Sequence, residues 1–284
     1  RHPDMILNLP PEPAVVNPDN ARILSRHLLC AAAELPLDRD ESWMRRPAAA
    51  AAAEKLVDRG DLLCAEDGKT LHGRRRGPHR RVDLRGAGSR YAIVAAGSKE
   101  VLGEIDEARA FREAHPGAVY LHGGDTFVVR RLDTEAAAVT VASEKVDYYT
   151  RVYSEKEIEV RETRLQDRRR GIAVSFGSLK VTDRVTGYET WAIGSHKRLG
   201  RFSLDMPPCV FETEGFWFAP GRGAQAAVAR AGLDWIGALH AAEHGIIGVF
   251  PLVVMADRDD LGGLAAAFHP DLQAAAVFVY DGIV

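Results

Sequence analysis

At residue 91 the chain changes character, and that change limits its fold more than any other feature. Over residues 91–218, short runs rich in Val, Tyr, Phe and Thr fall at 91–94, 119–121, 127–129, 139–141, 158–160, 172–176 and 180–185. Turn-forming stretches such as His122-Gly123-Gly124-Asp125 separate them. β-Branched and aromatic residues in short bounded runs signal strands, and a succession of them predicts a mostly antiparallel barrel or sandwich. One helix, over 104–115, is expected to interrupt it.

Upstream the signals are helical. Prolines at 3, 10, 11, 13 and 18 favour extended backbone and mark residues 1–16 as a linker. Asn17-Pro18-Asp19-Asn20 then offers N-cap chemistry, and Ile23, His27, Leu28, Cys30, Ala31 and Leu35 recur at helical spacing until Pro36. A second helix is expected over 48–59, with Pro47 at its first position and Gly60 as its C-terminal cap. Leu62-Leu63-Cys64 and Thr70-Leu71-His72 flank Glu66-Asp67-Gly68-Lys69, a hairpin signal. Two helices followed by a hairpin is the order of a winged-helix domain.

Beyond Phe218 the pattern reverts to helix over 224–248, and an apolar stretch broken by Pro251 follows. The expected class is therefore α+β: a winged helix (17–86), an antiparallel β-rich, barrel-like domain (87–218) and a helical C-terminal segment (219–284).

Composition narrows the function. With 284 residues, 46% of them hydrophobic, the chain can bury more than one core, and its formal charge of −3 supplies no global basic field. Any nucleic-acid contact must come from local patches. Cys30, Cys64 and Cys209 are too few and too scattered for a disulfide framework or a four-cysteine zinc site. No secretory signal opens the chain, and its longest apolar run, 245–256, is too short to span a bilayer. A cytoplasmic monomer without membrane contact is expected. Arg1 in place of methionine, and an end at Val284 with no polar tail, read as a piece of a longer protein.

Four motifs bear on chemistry. Gly68-Lys69-Thr70 mimics the end of a phosphate-binding loop, but Leu63 occupies the position of that loop's first glycine, so the segment reads as a hairpin turn. His240-Ala241-Ala242-Glu243-His244 matches the H-x-x-E-H of inverted zincins and makes a zinc metallopeptidase the rival reading. A third ligand is not evident, so no catalytic or metal-binding residue is assigned. Eight Lys/Arg against the single acid Asp83 fall between Lys69 and Arg90, and Arg74, Arg75, Arg76, Arg80 and Arg81 are the candidate phosphate contacts. Finally, Trp43 near Arg45 and Arg46, and Tyr149 near Arg151, pair aromatics with cations as a platform for unpaired bases does.

Several strings coincide with one family. Asn17-Pro18-Asp19-Asn20, His27-Leu28-Leu29-Cys30-Ala31-Ala32-Ala33-Glu34-Leu35-Pro36, Val146-Asp147-Tyr148-Tyr149-Thr150, Leu239-His240-Ala241-Ala242-Glu243-His244, and Asp257-Arg258 with Asp260-Leu261-Gly262-Gly263 carry the likeness. Together they resemble the region C-terminal to the motor in MrfA/SftH-type superfamily-two DNA helicases. The resemblance implies a winged helix after two RecA-like ATPase domains and, from about residue 219, the start of a zinc-binding domain. It further implies an ATP-dependent 3′-to-5′ translocase of DNA repair, with ATP, Mg and a structural zinc in the parent protein and no cofactor in this fragment. The expected partners are single-stranded DNA and the motor domains in cis. A non-catalytic protein-docking module is the third reading.

Overall fold

The computed structural model describes residues 18–82, 89–98, 100–169, 172–254 and 256–282, except the side chains of residues 22, 80, 81 and 169. The linker expected over 1–16 lies outside the described residues. The chain divides into two compact units, 1–85 and 86–284.

In the first unit, α1 (Ala21–Glu34) is followed by β1 (Leu37–Asp38), α2 (Pro47–Asp58), β2 (Leu62–Cys64) and β3 (Thr70–Gly73). The Asn20 side chain accepts from the Ile23 amide and so opens α1. Pro47 begins α2, and Gly60, at φ 71°, closes it through its amide to the Val57 carbonyl. The three strands form an antiparallel sheet in the order β1-β3-β2. Leu28, Met44, Ala52, Ala53, Leu56, Leu62 and Leu71 make the core, where the small Ala52 and Ala53 let α2 approach closely.

The second unit carries two sheets. β4 (Arg90–Ala95), β5 (Val101–Asp106), β6 (Val119–His122), β7 (Asp125–Asp133) and β8 (Ala138–Ser143) form one, in the order β5-β4-β8-β7-β6. All its pairs are antiparallel except β4 with β8. Helix α3 (Glu107–Glu113) packs Ala110 and Phe111 into a core with Tyr91, Ile93, Val129, Val139 and Val141.

The other sheet is built on β9 (Tyr148–Arg169) and β10 (Ile172–Ala192), which pair along almost their whole lengths. The far edge of β10 is shared by β11 (Arg198–Ser203), opposite 187–191, and β12 (Cys209–Ala219), opposite 173–183. After α4 (Arg222–Arg230) and α5 (Trp235–Val249), β13 (Leu261–His269) and β14 (Ala274–Asp281) complete the order β11-β10-β12-β14-β13. Val277, Phe278 and Val279 are buried because β14 is central and α5 packs on this end of the sheet. Gly177 sits at a register shift in β10, where a Cβ would fall 1.9 Å from the Glu162 carbonyl oxygen. Among the described residues, no helix is long and apolar enough to cross a membrane.

Three local expectations differ from the structure. The helix expected over 104–115 starts only at Glu107, because 101–106 extends as β5 against β4 and Asp106 caps the helix by accepting from the Arg109 amide. The single helix expected over 224–248 is two: Gly232 takes φ 70°, and Asp234 opens α5 by accepting from the Gly237 amide at 2.6 Å. The segment 219–284 is not helical throughout, since β14 pairs with β12 across the division expected at 218/219. Those strands are placed by the apolar run 276–280, which fills the space beside Trp217 and Leu179.

Candidate nucleic-acid interface

The hairpin of the first unit shows what Gly68-Lys69-Thr70 does. The Asp67 carboxylate accepts from the Lys69 amide at 2.8 Å, the Thr70 amide at 2.9 Å and the Thr70 hydroxyl at 2.5 Å, and Gly68 takes φ 69°. The donors that would cradle a phosphate are occupied within the turn. These contacts hold the Asp67 carboxyl down at about 2, the Thr70 hydroxyl contributing most.

Immediately after β3, Arg74, Arg75 and Arg76 are exposed. Arg74 donates to the Gly60 carbonyl at 3.4 Å, while Arg75 and Arg76 make no ion pair among the described residues. Gly77, at φ 65°, turns the chain into the short helical turn Pro78–Arg81, which carries Arg80 and Arg81. Their side chains lie outside the described residues. Trp43, 38% exposed, donates its indole N–H to Glu41. Its neighbours are committed elsewhere: Arg45 pairs with Asp40 and Arg46 with Asp19. Among the described residues no cation stands over the Trp43 ring.

In the second unit the pairing register assembles a larger platform. Tyr149 of β9 lies opposite Trp191 of β10, and Arg151 lies opposite Glu189. Because alternate residues of a strand share a face, all four project together. The Arg151 guanidinium stands 5.3 Å from the centre of the Tyr149 ring and 5.8 Å from that of Trp191. One step along, Arg201 of β11 lies 4.2 Å from the centre of the Tyr153 ring, whose hydroxyl donates to the Phe202 carbonyl at 3.0 Å. Glu189 accepts from the Trp191 indole at 3.2 Å and from Arg198 at 3.0 Å, which ties the platform to β11. His196 meets the edge of the Tyr149 ring at 6.3 Å. The rings are half-buried and Arg151, Arg198 and Arg201 are exposed. Such a surface can stack bases and neutralise their phosphates.

Trp191, Tyr153, Arg198 and Arg201 were not singled out from the sequence. Trp191 on β10 and Arg198 and Arg201 on β11 are far from Tyr149 and Arg151 in sequence, and only the pairing register brings them together, whereas Tyr153 follows Arg151 on β9 and meets its cation, Arg201, only through that register. On α5, His240, Glu243 and His244 form the only group of three or more metal-ligating side chains among the described residues, so the third outside ligand that an inverted zincin requires is not among them. Cys30, Cys64 and Cys209 are free thiols on α1, β2 and β12 and do not make up the four-cysteine site implied for the parent protein.

The chain is similar to several known proteins. The winged helix domain of ATP-dependent helicase HRQ1 matches residues 16–87. The ATP-dependent helicase YprA of Bacillus subtilis is 25% identical over 99% of this chain and 37% of its own length. The ATP-dependent helicase HRQ1 of Saccharomyces cerevisiae is 26% identical over 87% of the chain and 23% of its own length. The chain thus spans well under half of these relatives. The crystal structure of DUF1998 helicase MrfA bound to DNA shares the fold over 100% of this chain and 38% of that one, with a TM-score of 0.57 and 24% identity. In its winged helix this chain is thus similar to HRQ1, along most of its length it is similar to ATP-dependent helicases, and its fold is shared with MrfA.

Proposed function

We propose that this chain is the accessory C-terminal part of an ATP-dependent DNA helicase, and that it holds and guides a single strand beside the motor. The observation that carries this reading is Arg151 standing over both Tyr149 and Trp191, with Arg201 over Tyr153 on the same sheet. A row of rings interleaved with exposed guanidiniums suits unpaired bases, whose faces are open, better than duplex DNA, whose faces are stacked away. Support from relatives is of two kinds: YprA and HRQ1 are ATP-dependent helicases, and MrfA has been crystallised with DNA and with DNA and AMPPNP. On this reading the parent protein carries the motor in cis, uses ATP with Mg, translocates 3′-to-5′ in DNA repair and works as a cytoplasmic monomer. A structural zinc belongs to a cysteine cluster that these residues do not supply.

The test is fluorescence anisotropy of the 284-residue chain with a labelled single strand and with the same sequence as duplex, across a salt series. Tighter binding of the single strand, weakening steeply with salt, supports the proposal. Equal or preferential duplex binding overturns the single-strand assignment, and no binding to either favours a protein-docking module.

A further inference from the structure

Helix α5 carries a cluster that the DNA reading does not use. His240, Glu243 and His244 stand at positions i, i+3 and i+4, which share one helical face. One ring nitrogen from each histidine and one carboxylate oxygen of Glu243 lie within 4.8 Å of one another. His240 Nδ1 is 3.2 Å from Glu243 Oε2, and the two imidazoles meet edge to face with centroids 4.4 Å apart.

The three differ in freedom. Glu243 is 7% exposed, and its carboxyl packs against Gly263 of β13, where a Cβ would fall 2.4 Å from Glu243 Oε1. The absence of a side chain at 263 makes room for that carboxylate. Both histidines are exposed. One donor is thus fixed by packing, while the other two are free to adjust their side-chain torsions.

We propose that His240, Glu243 and His244 bind a transition-metal ion of the zinc class, with water in the remaining position. Two imidazoles and a carboxylate are a borderline donor set that suits zinc or cobalt, whereas calcium and magnesium require six or more oxygens. Donors at about 2.0–2.2 Å from a tetrahedral ion stand roughly 3.4 Å apart, so closing the present spread needs only rotation of two exposed side chains. The charge argument agrees. A buried carboxylate is costly without a counter-charge. Lys156 donates to the Gly263 carbonyl at 3.1 Å, on the backbone against which the Glu243 carboxyl packs. A metal on the outer side neutralises Glu243 where the histidines already converge. With Glu243 as a ligand, no carboxylate of the cluster remains to activate water, so the ion would brace one turn of α5 and not hydrolyse peptides. The proposal is independent of the DNA reading.

The 284-residue chain, stripped of metal, is titrated with cobalt(II) followed by its visible absorption, and with zinc by calorimetry. One equivalent is expected to bind, with a nitrogen-and-oxygen cobalt spectrum and a rise in melting temperature. His240→Ala and His244→Ala should each weaken binding about tenfold or more. At an exposed position, His244→Ala should leave metal-free melting unchanged. The proposal is overturned by the absence of saturable binding up to about 100 μM metal. It is equally overturned if affinity survives both histidine substitutions, or if a thiolate-to-cobalt band assigns the ion to a cysteine.

Discussion

The guanidinium of Arg151 lies 5.3 Å from the centre of the Tyr149 ring. Cation and ring are two residues apart on one strand face, and the same cation reaches Trp191 on the neighbouring strand. If bases stack here, Tyr149→Ala should cost about 1–3 kcal/mol in single-strand affinity with little change in melting temperature. If the ring serves only packing, truncation should instead cost about 3–5 kcal/mol of stability. Trp43→Ala is the companion variant. Its ring is 38% exposed but has no cation over it among the described residues, so it should affect affinity less than Tyr149→Ala. Anisotropy and thermal melting on the same samples separate these outcomes.

Exposed arginines of the wing should govern salt dependence. Replacing Arg74, Arg75 and Arg76 together by Ala should weaken single-strand binding and flatten the log-affinity against log-salt slope by up to roughly 0.7 per lost phosphate contact. A slope equal to that of the parent chain removes the wing from the contact surface.

The turn at Asp67 sets an acid limit for the winged helix. Its carboxyl titrates at about 2 in the folded chain against an ordinary 3.8, because the ionised form accepts from Thr70 and Lys69. A depressed carboxylate pKa stabilises the fold fully above the unfolded value, and that contribution fades as pH falls through the folded one. Asp67→Ala should therefore lower the melting temperature at pH 7. The difference between variant and parent should shrink between about pH 4 and pH 2. A difference that is the same at both ends excludes the carboxylate as the cause.

His115 should make the second unit acid-sensitive in a higher range. It is 1% exposed against Tyr188, and burial pushes its imidazole below the usual value of 6.5. Its Nε2 has no hydrogen-bond partner among the described residues. The unfolded chain then binds the proton more readily, so stability falls as pH drops from about 6.5 toward the lowered folded value. His115→Phe, similar in shape and uncharged, should flatten the dependence of melting temperature on pH between about 7 and 5. An unchanged dependence would place the acid sensitivity elsewhere.

Features held by neighbours in sequence were legible without the fold. Asp67-Gly68 makes its turn through contacts two and three residues away, Pro47 and Gly60 bound α2, and the composition change near residue 91 falls close to the boundary between the units at 85/86. The candidate cations Arg74, Arg75, Arg76 and Arg151 were visible for the same reason, as exposed charge needs no partner to be read. Tertiary structure decided whatever depends on strand pairing. Residues 104–106 pass as the start of a helix until β4 offers them a ladder, and β14 reaches β12 across about sixty intervening residues. Trp191 meets Tyr149 only because β9 and β10 pair in one register, and a shift by a single residue would send one ring to the opposite face. That register is set by which apolar side chains fill the core beneath the sheet, a sum over distant residues that no local stretch of sequence contains.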